Sequence, residues 1–192
     1  LTLATGLMAC AAQDDTPAPQ PDETKTQTET QTPADDTADT TDGKVWRIGV
    51  STQSWEYEFI KNMINALKDI DANMDNVELV LYDSEDSIEK QLSDVDSMIA
   101  DDVDGILLNC LSYEGCSSAV EACSTAGIPL VEFISYTENE DYATFVGTDV
   151  KSSGIMAGEY IADALGGKGN VFEIQGIIGH TAQINRGAGI KE

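Results

Sequence analysis

The chain is poor in positive charge. Ten lysines and arginines stand against 35 acids in 192 residues, a formal net charge of −25. Binding to nucleic acid rests on neutralising phosphates with Lys and Arg, so that class of partner is excluded. Anionic headgroups would repel the chain too, which argues against adhesion to a membrane through surface charge. No apolar run is long enough to span a bilayer. Four cysteines are no disulfide framework at this length, and none forms a CxxC pair that would suggest zinc. The single histidine, His180, has no HExxH companion, so no metal site is expected. GxGxxG, GxxxxGK(S/T) and GxSxG are all missing, which removes the familiar dinucleotide, phosphate-loop and serine-hydrolase signatures. Nothing assembles a nucleophile with a base. The chain is therefore expected to be no enzyme and to need no cofactor.

What charge there is lies unevenly. Residues Ala11 to Gly43 contain no Val, Ile, Leu, Met, Phe, Trp or Tyr, and hold four of the five prolines (Pro17, Pro19, Pro21 and Pro33). Nine acids there face one basic residue, Lys25. Such a stretch cannot offset its ordering entropy by burial and reads as an extended, self-repelling tether. Ahead of it, Leu7-Met8-Ala9-Cys10 closes a short apolar segment. This resembles a bacterial lipoprotein signal with its lipobox: small Ala9 suits the cut, and the Cys10 thiol would carry the lipid.

Beyond the tether, strand-like runs alternate with helix-period segments. Val45 to Ser51, Val77 to Tyr82, Gly105 to Leu111, Pro129 to Ile134, Tyr142 to Gly147 and Val171 to Ile174 read as six strands. Phe59, Ile60, Met63, Ile64 and Leu67 share one helical face, and Ile88, Leu92, Val95 and Ile99 another. A third helix runs from about Glu114 to Thr125, with Gly127 placed to end it. A fourth runs to about Leu165, capped by Asp149 or Ser152. Cys110, Cys116 and Cys123 fall at a strand end and on one helical face, and read as small core residues. The alternation gives an α/β class with a parallel, doubly wound sheet and right-handed crossovers. In such sheets ligands sit beyond the carboxyl ends of the strands.

The loops at those ends carry hydrogen-bonding groups and aromatic faces. Trp55 and Tyr57 follow the first strand, Asn109 ends the third, and His180, Gln183, Asn185 and Arg186 follow the sixth. An Asn amide donates and accepts at once, and Arg offers a charged fork of donors. Aromatic faces suit the C–H faces of a sugar ring. The set fits a polyhydroxylated ligand. Each residue also has a plainer reading: Asn109 as a turn residue, His180 as a helix cap, Arg186 as a solvated charge, Trp55 and Tyr57 as packing.

From Val45 to Glu192 the chain resembles the ribose- and galactose-type periplasmic sugar-binding proteins, the solute receptors of ABC importers. The likeness lies in Ile48-Gly49-Val50-Ser51-Thr52-Gln53, Asp104 to Asn109, Gly127-Ile128-Pro129-Leu130-Val131 and Gly147-Thr148-Asp149 through Gly158. It continues in Glu173-Ile174-Gln175-Gly176 and His180 to Gly187. The resemblance implies a periplasmic-binding-protein-like fold with two hinged lobes closing over a sugar. Residues 1–10 would be a signal remnant, 11–43 a linker, 44–148 the first lobe and 149–192 the start of the second. It implies ligand contacts from Asn109, Arg186, His180 and Tyr57, with Trp55 beside them, and Asp149 as cap and hinge. It also implies a monomer outside the cytoplasm, held to the membrane through lipid on Cys10, handing a sugar to an ABC permease. A sensor presenting the sugar to a chemoreceptor or histidine kinase, and a small-metabolite enzyme, are the alternatives. One departure stands out: many members carry Asp-Arg after the fourth strand, where this chain has Ile134-Ser135, which leaves open a less usual sugar, a polyol or another small polar solute.

Overall fold

The computed structural model describes residues 43–192. The lipobox and nearly all of the linker lie outside them. The elements run β1 (Trp46–Thr52), α1 (Glu58–Asp71), β2 (Val77–Asp83), α2 (Ile88–Ala100), β3 (Gly105–Leu108), α3 (Ser117–Ala126), β4 (Leu130–Phe133), β5 (Thr144–Val146), α4 (Val150–Ala164) and α5 (Thr181–Ile190). The five strands form one sheet in the order β2-β1-β3-β4-β5. Every pairing is parallel, from Trp46 opposite Val77 to Phe133 opposite Val146. The fold is the α/β, periplasmic-binding-protein-like parallel sheet that the alternation and the resemblance imply. The chain leaves β1 toward one edge and returns past it to β3, so the switch point lies between these two strands.

Packing follows from the pleat. Gly49 lacks a side chain where Met98 of α2 rests, and a Cβ there would lie 2.6 Å from the Met98 sulfur. Its neighbour Val50 points to the opposite face and is fully buried as well. Val95, Met98, Ile106, Leu108, Val120 and Leu130 join the buried Cys110, Cys116 and Cys123 in one core between the strands and α2 and α3. All three of those thiols are free. Gly127 ends α3 in the left-handed region, φ 72°, as a terminating glycine should. Asp149 caps α4, accepting from the amides of Lys151 and Ser152, each at 3.0 Å.

Two expectations need correction. The third helix starts at Ser117 rather than Glu114, because residues before it are taken up by a turn in which Gly115 N donates to Ser112 Oγ. Val171 to Ile174 is not a strand: the segment is irregular and unpaired, with Phe172 96 % and Ile174 97 % exposed. A strand exists through its ladder, and no described residue lies alongside to provide one.

Candidate functional site

Beyond the strand ends lies a crevice of about 650 Å³, lined by Gln53 and Tyr57 on one side and by His180, Gln183 and Arg186 of α5 on the other. The segment Glu173 to Ile177 forms its remaining wall. Gln53 is the first residue past β1, at the switch point, so the sheet's connectivity puts it there. The structure thus brings together Tyr57, His180 and Arg186, three of the residues singled out from sequence.

His180 does two things. Its Nδ1 accepts the amide of Ala182 at 3.1 Å, capping α5. Its Nε2 lies 2.6 Å from Gln53 Nε2, in a hydrogen bond whose direction the ring tautomer sets. Burial first, and then the nearby Arg186 guanidinium, hold the imidazole below its ordinary range. The ring is therefore neutral near pH 7, and the link from β1 to α5 is an uncharged hydrogen bond. Arg186, by contrast, is exposed and forms no ion pair with any described residue. Its donors are free for a ligand. Tyr57 is 42 % exposed and presents its ring at the crevice.

Backbone and side-chain hydrogen bonds fix α5 against the sheet's loops. Tyr113 N donates to Gly179 O at 2.9 Å, and Thr181 Oγ1 donates to Tyr136 O at 2.6 Å. Asn185 donates through Nδ2 to the Tyr136 hydroxyl at 3.0 Å. Behind Arg186, α4 and α5 cross at their glycines: a Cβ on Gly154 would run into the Arg186 carbonyl, and one on Gly158 would lie 2.8 Å from Ile190 O.

The remaining sequence candidates are placed differently. Asn109 does not line the crevice. It is fully buried, its Nδ2 donating to Ser135 Oγ at 2.8 Å and Phe133 O at 3.3 Å. Its Oδ1 is a buried side-chain oxygen with no partner. The cause is the turn after β4. Ile134 is left-handed, φ 66°, and Ser135 N donates to Phe133 O at 2.7 Å, a γ-turn of the strained hand. That turn tucks Ser135 under Asn109 and on to Cys110 O at 2.7 Å. Trp55 is also off the crevice wall: its indole N–H donates to Thr52 Oγ1 at 3.0 Å, and its ring faces Lys68 Nζ at 5.3 Å. Gln53 and Glu173 line the crevice without having been singled out. Gln53 was legible as the first side chain past a strand end, but Glu173 was not, because its segment reads as strand.

Among the described residues no group of His, Cys, Asp and Glu could hold a metal ion. Fold and crevice together define an α/β domain that can hold a small polar solute beyond the carboxyl ends of its strands. The chain belongs to the periplasmic binding protein domain family, whose pattern matches residues 48–192. A xylitol-binding protein of Mycolicibacterium smegmatis is 34 % identical over 161 residues, covering 83 % of this chain and 44 % of that protein. A ribose import binding protein of Bacillus subtilis is 30 % identical over 146 residues, covering 76 % of this chain and 48 % of that protein. The chain thus spans just under half the length of these two relatives. Among solved structures, an ABC transporter solute binding protein from Bacillus halodurans with bound myo-inositol superimposes with a TM-score of 0.73 at 30 % identity. That match covers 79 % of this chain and 53 % of the other. All three are named as binding proteins.

Proposed function

We propose that the chain is part of an extracytoplasmic solute-binding lipoprotein that captures a sugar or polyol and delivers it to an ABC permease without chemistry. Residues 44–148 form the first lobe and 149–192 begin the second, with lipid on Cys10 as the anchor and the acidic stretch 11–43 as the tether. The carrying observation is the convergence of Tyr57, neutral His180 and unpaired Arg186 on one crevice at the switch point of a parallel sheet. Arg186 forks onto ligand oxygens and Tyr57 meets a C–H face, while Asn109 stays behind the crevice, holding the turn after β4. Trp55 supports the Tyr57 loop from behind.

The solute is an acyclic or cyclic polyol as readily as a ring sugar. No acid–arginine pair follows β4: Ser135 is buried and Ile134 carries no polar group. The names of the relatives point the same way, since xylitol and myo-inositol stand beside ribose among them. The exposed Phe172 and Ile174, in a segment without a ladder, fit a lobe that the rest of a longer protein completes. Direct binding is the test: calorimetric titration with xylitol, D-ribose and myo-inositol should show heat of binding for at least one, and silence from all three contradicts the reading.

A further inference from the structure

The loop after β1 does not stand alone. The turn Ser84 to Asp86, between β2 and α2, is fastened to it repeatedly. Ser84 N donates to Thr52 O at 3.0 Å, and Asp86 N to Gln53 O at 3.3 Å. Trp55 N donates to the carboxylate of Asp83, the last residue of β2, at 3.3 Å. The Tyr57 hydroxyl donates to Asp86 Oδ2 at 2.8 Å. Gln53 and Tyr57 are the crevice residues this loop supplies, and both are held by one residue that lines nothing itself. Asp86 does so from a left-handed backbone, φ 58°, next to Glu85 at φ 51°. Asp tolerates that region better than most side chains, though at some cost.

Packing alone does not orient the Tyr57 ring. It is 42 % exposed, and the aromatic pairs among the described residues, Tyr113 with Tyr136 and Tyr136 with Phe145, leave it out. Its hydroxyl tether is what remains. We propose that Asp86 is a positioning residue whose carboxylate holds the Tyr57 ring against the crevice in the orientation that meets a ligand. This rests on the sugar or polyol reading and extends it to a residue that touches no ligand.

Asp86→Gly removes the carboxylate while leaving the left-handed backbone, and so the amide bond to Gln53, free of strain. Tyr57→Phe removes the other end of the tether. In calorimetric titration with xylitol, D-ribose or myo-inositol, either change should weaken binding about three- to tenfold. Both together should weaken it no further, because each cuts the same bond. Asp86→Asn, whose amide oxygen still accepts from the hydroxyl, should restore most of the affinity. Losses that multiply in the double variant, or wild-type binding by Asp86→Gly, overturn the proposal. A second readout needs no ligand. The hydrogen bond to Asp86 pushes ionisation of the Tyr57 phenol up, and ultraviolet titration against Tyr57→Phe picks out that phenol. It should ionise at lower pH in Asp86→Gly. If the wild-type chain binds none of the probes, the sugar reading falls by itself; an unshifted Tyr57 titration overturns the positioning role.

Discussion

Glu132 on β4 is fully buried, and both of its oxygens accept the one amide of Thr137, at 3.0 and 3.1 Å. Burial pushes its carboxyl up to about 6, with the Thr137 bonds opposing. The folded chain therefore holds this proton more tightly than the unfolded chain does. Glu132's contribution to stability is fully present below the ordinary carboxylate range and is lost as pH rises through about 6. Ionising it costs on the order of 2 kcal/mol. Urea denaturation from about pH 4 to about pH 7 should show wild type losing roughly that much relative to Glu132→Gln; parallel profiles would count against it. His180 acts in the opposite sense. Its lowered value means that its contribution is present above the ordinary imidazole range and lost as pH falls through the folded value. Neither effect was legible in the sequence. Glu132 reads as one more acid in an acidic chain until the pleat turns it inward, and Asn109 reads as a strand-end contact until the strained turn at Ile134 claims its amide.

At the scale of elements, periodicity served well wherever an element meets its partner inside the described residues. The stripe of α2, Ile60, Met63, Ile64 and Leu67 of α1, the terminating Gly127 and the capping Asp149 were readable, because local geometry and burial agree there; Phe59, placed on the same α1 face, is instead 64 % exposed. Periodicity failed at Val171 to Ile174, where composition asks for a strand and no described strand pairs with it. Tyr57 and His180 were legible as neighbours of the crevice because each stands at the N-cap of a helix that opens onto it, and Arg186 follows within α5. The crossing of α4 and α5 tests how Arg186 is placed. Gly154→Ala should gain up to about 1 kcal/mol of helix propensity. The added methyl would meet the Arg186 carbonyl, and overpacking of that kind costs roughly 1–3 kcal/mol. The overpacking should prevail: the variant should unfold at lower urea concentration than wild type. Equal or greater stability would show that α5 yields without strain, and that the glycines do not set its position.

For the whole molecule, the charge of −25 and the crevice belong to one picture. So acidic a chain is repelled by anionic headgroups, and the proposed hold on the membrane rests on lipid rather than on charge. Expressed in a bacterial host that processes lipoproteins, the chain with its leader should fractionate with membranes, and Cys10→Ser should move it to the soluble fraction. An unchanged distribution would remove the anchor from the account. The central claim is that Arg186, in no ion pair with any described residue, grips a polyhydroxylated solute in the crevice it shares with Tyr57 and His180. Titration calorimetry of wild type and Arg186→Ala with xylitol, D-ribose and myo-inositol tests it most directly. Binding of at least one by wild type, weakened about ten- to a hundredfold by the substitution, is the predicted result; equal affinity in the two proteins would contradict it.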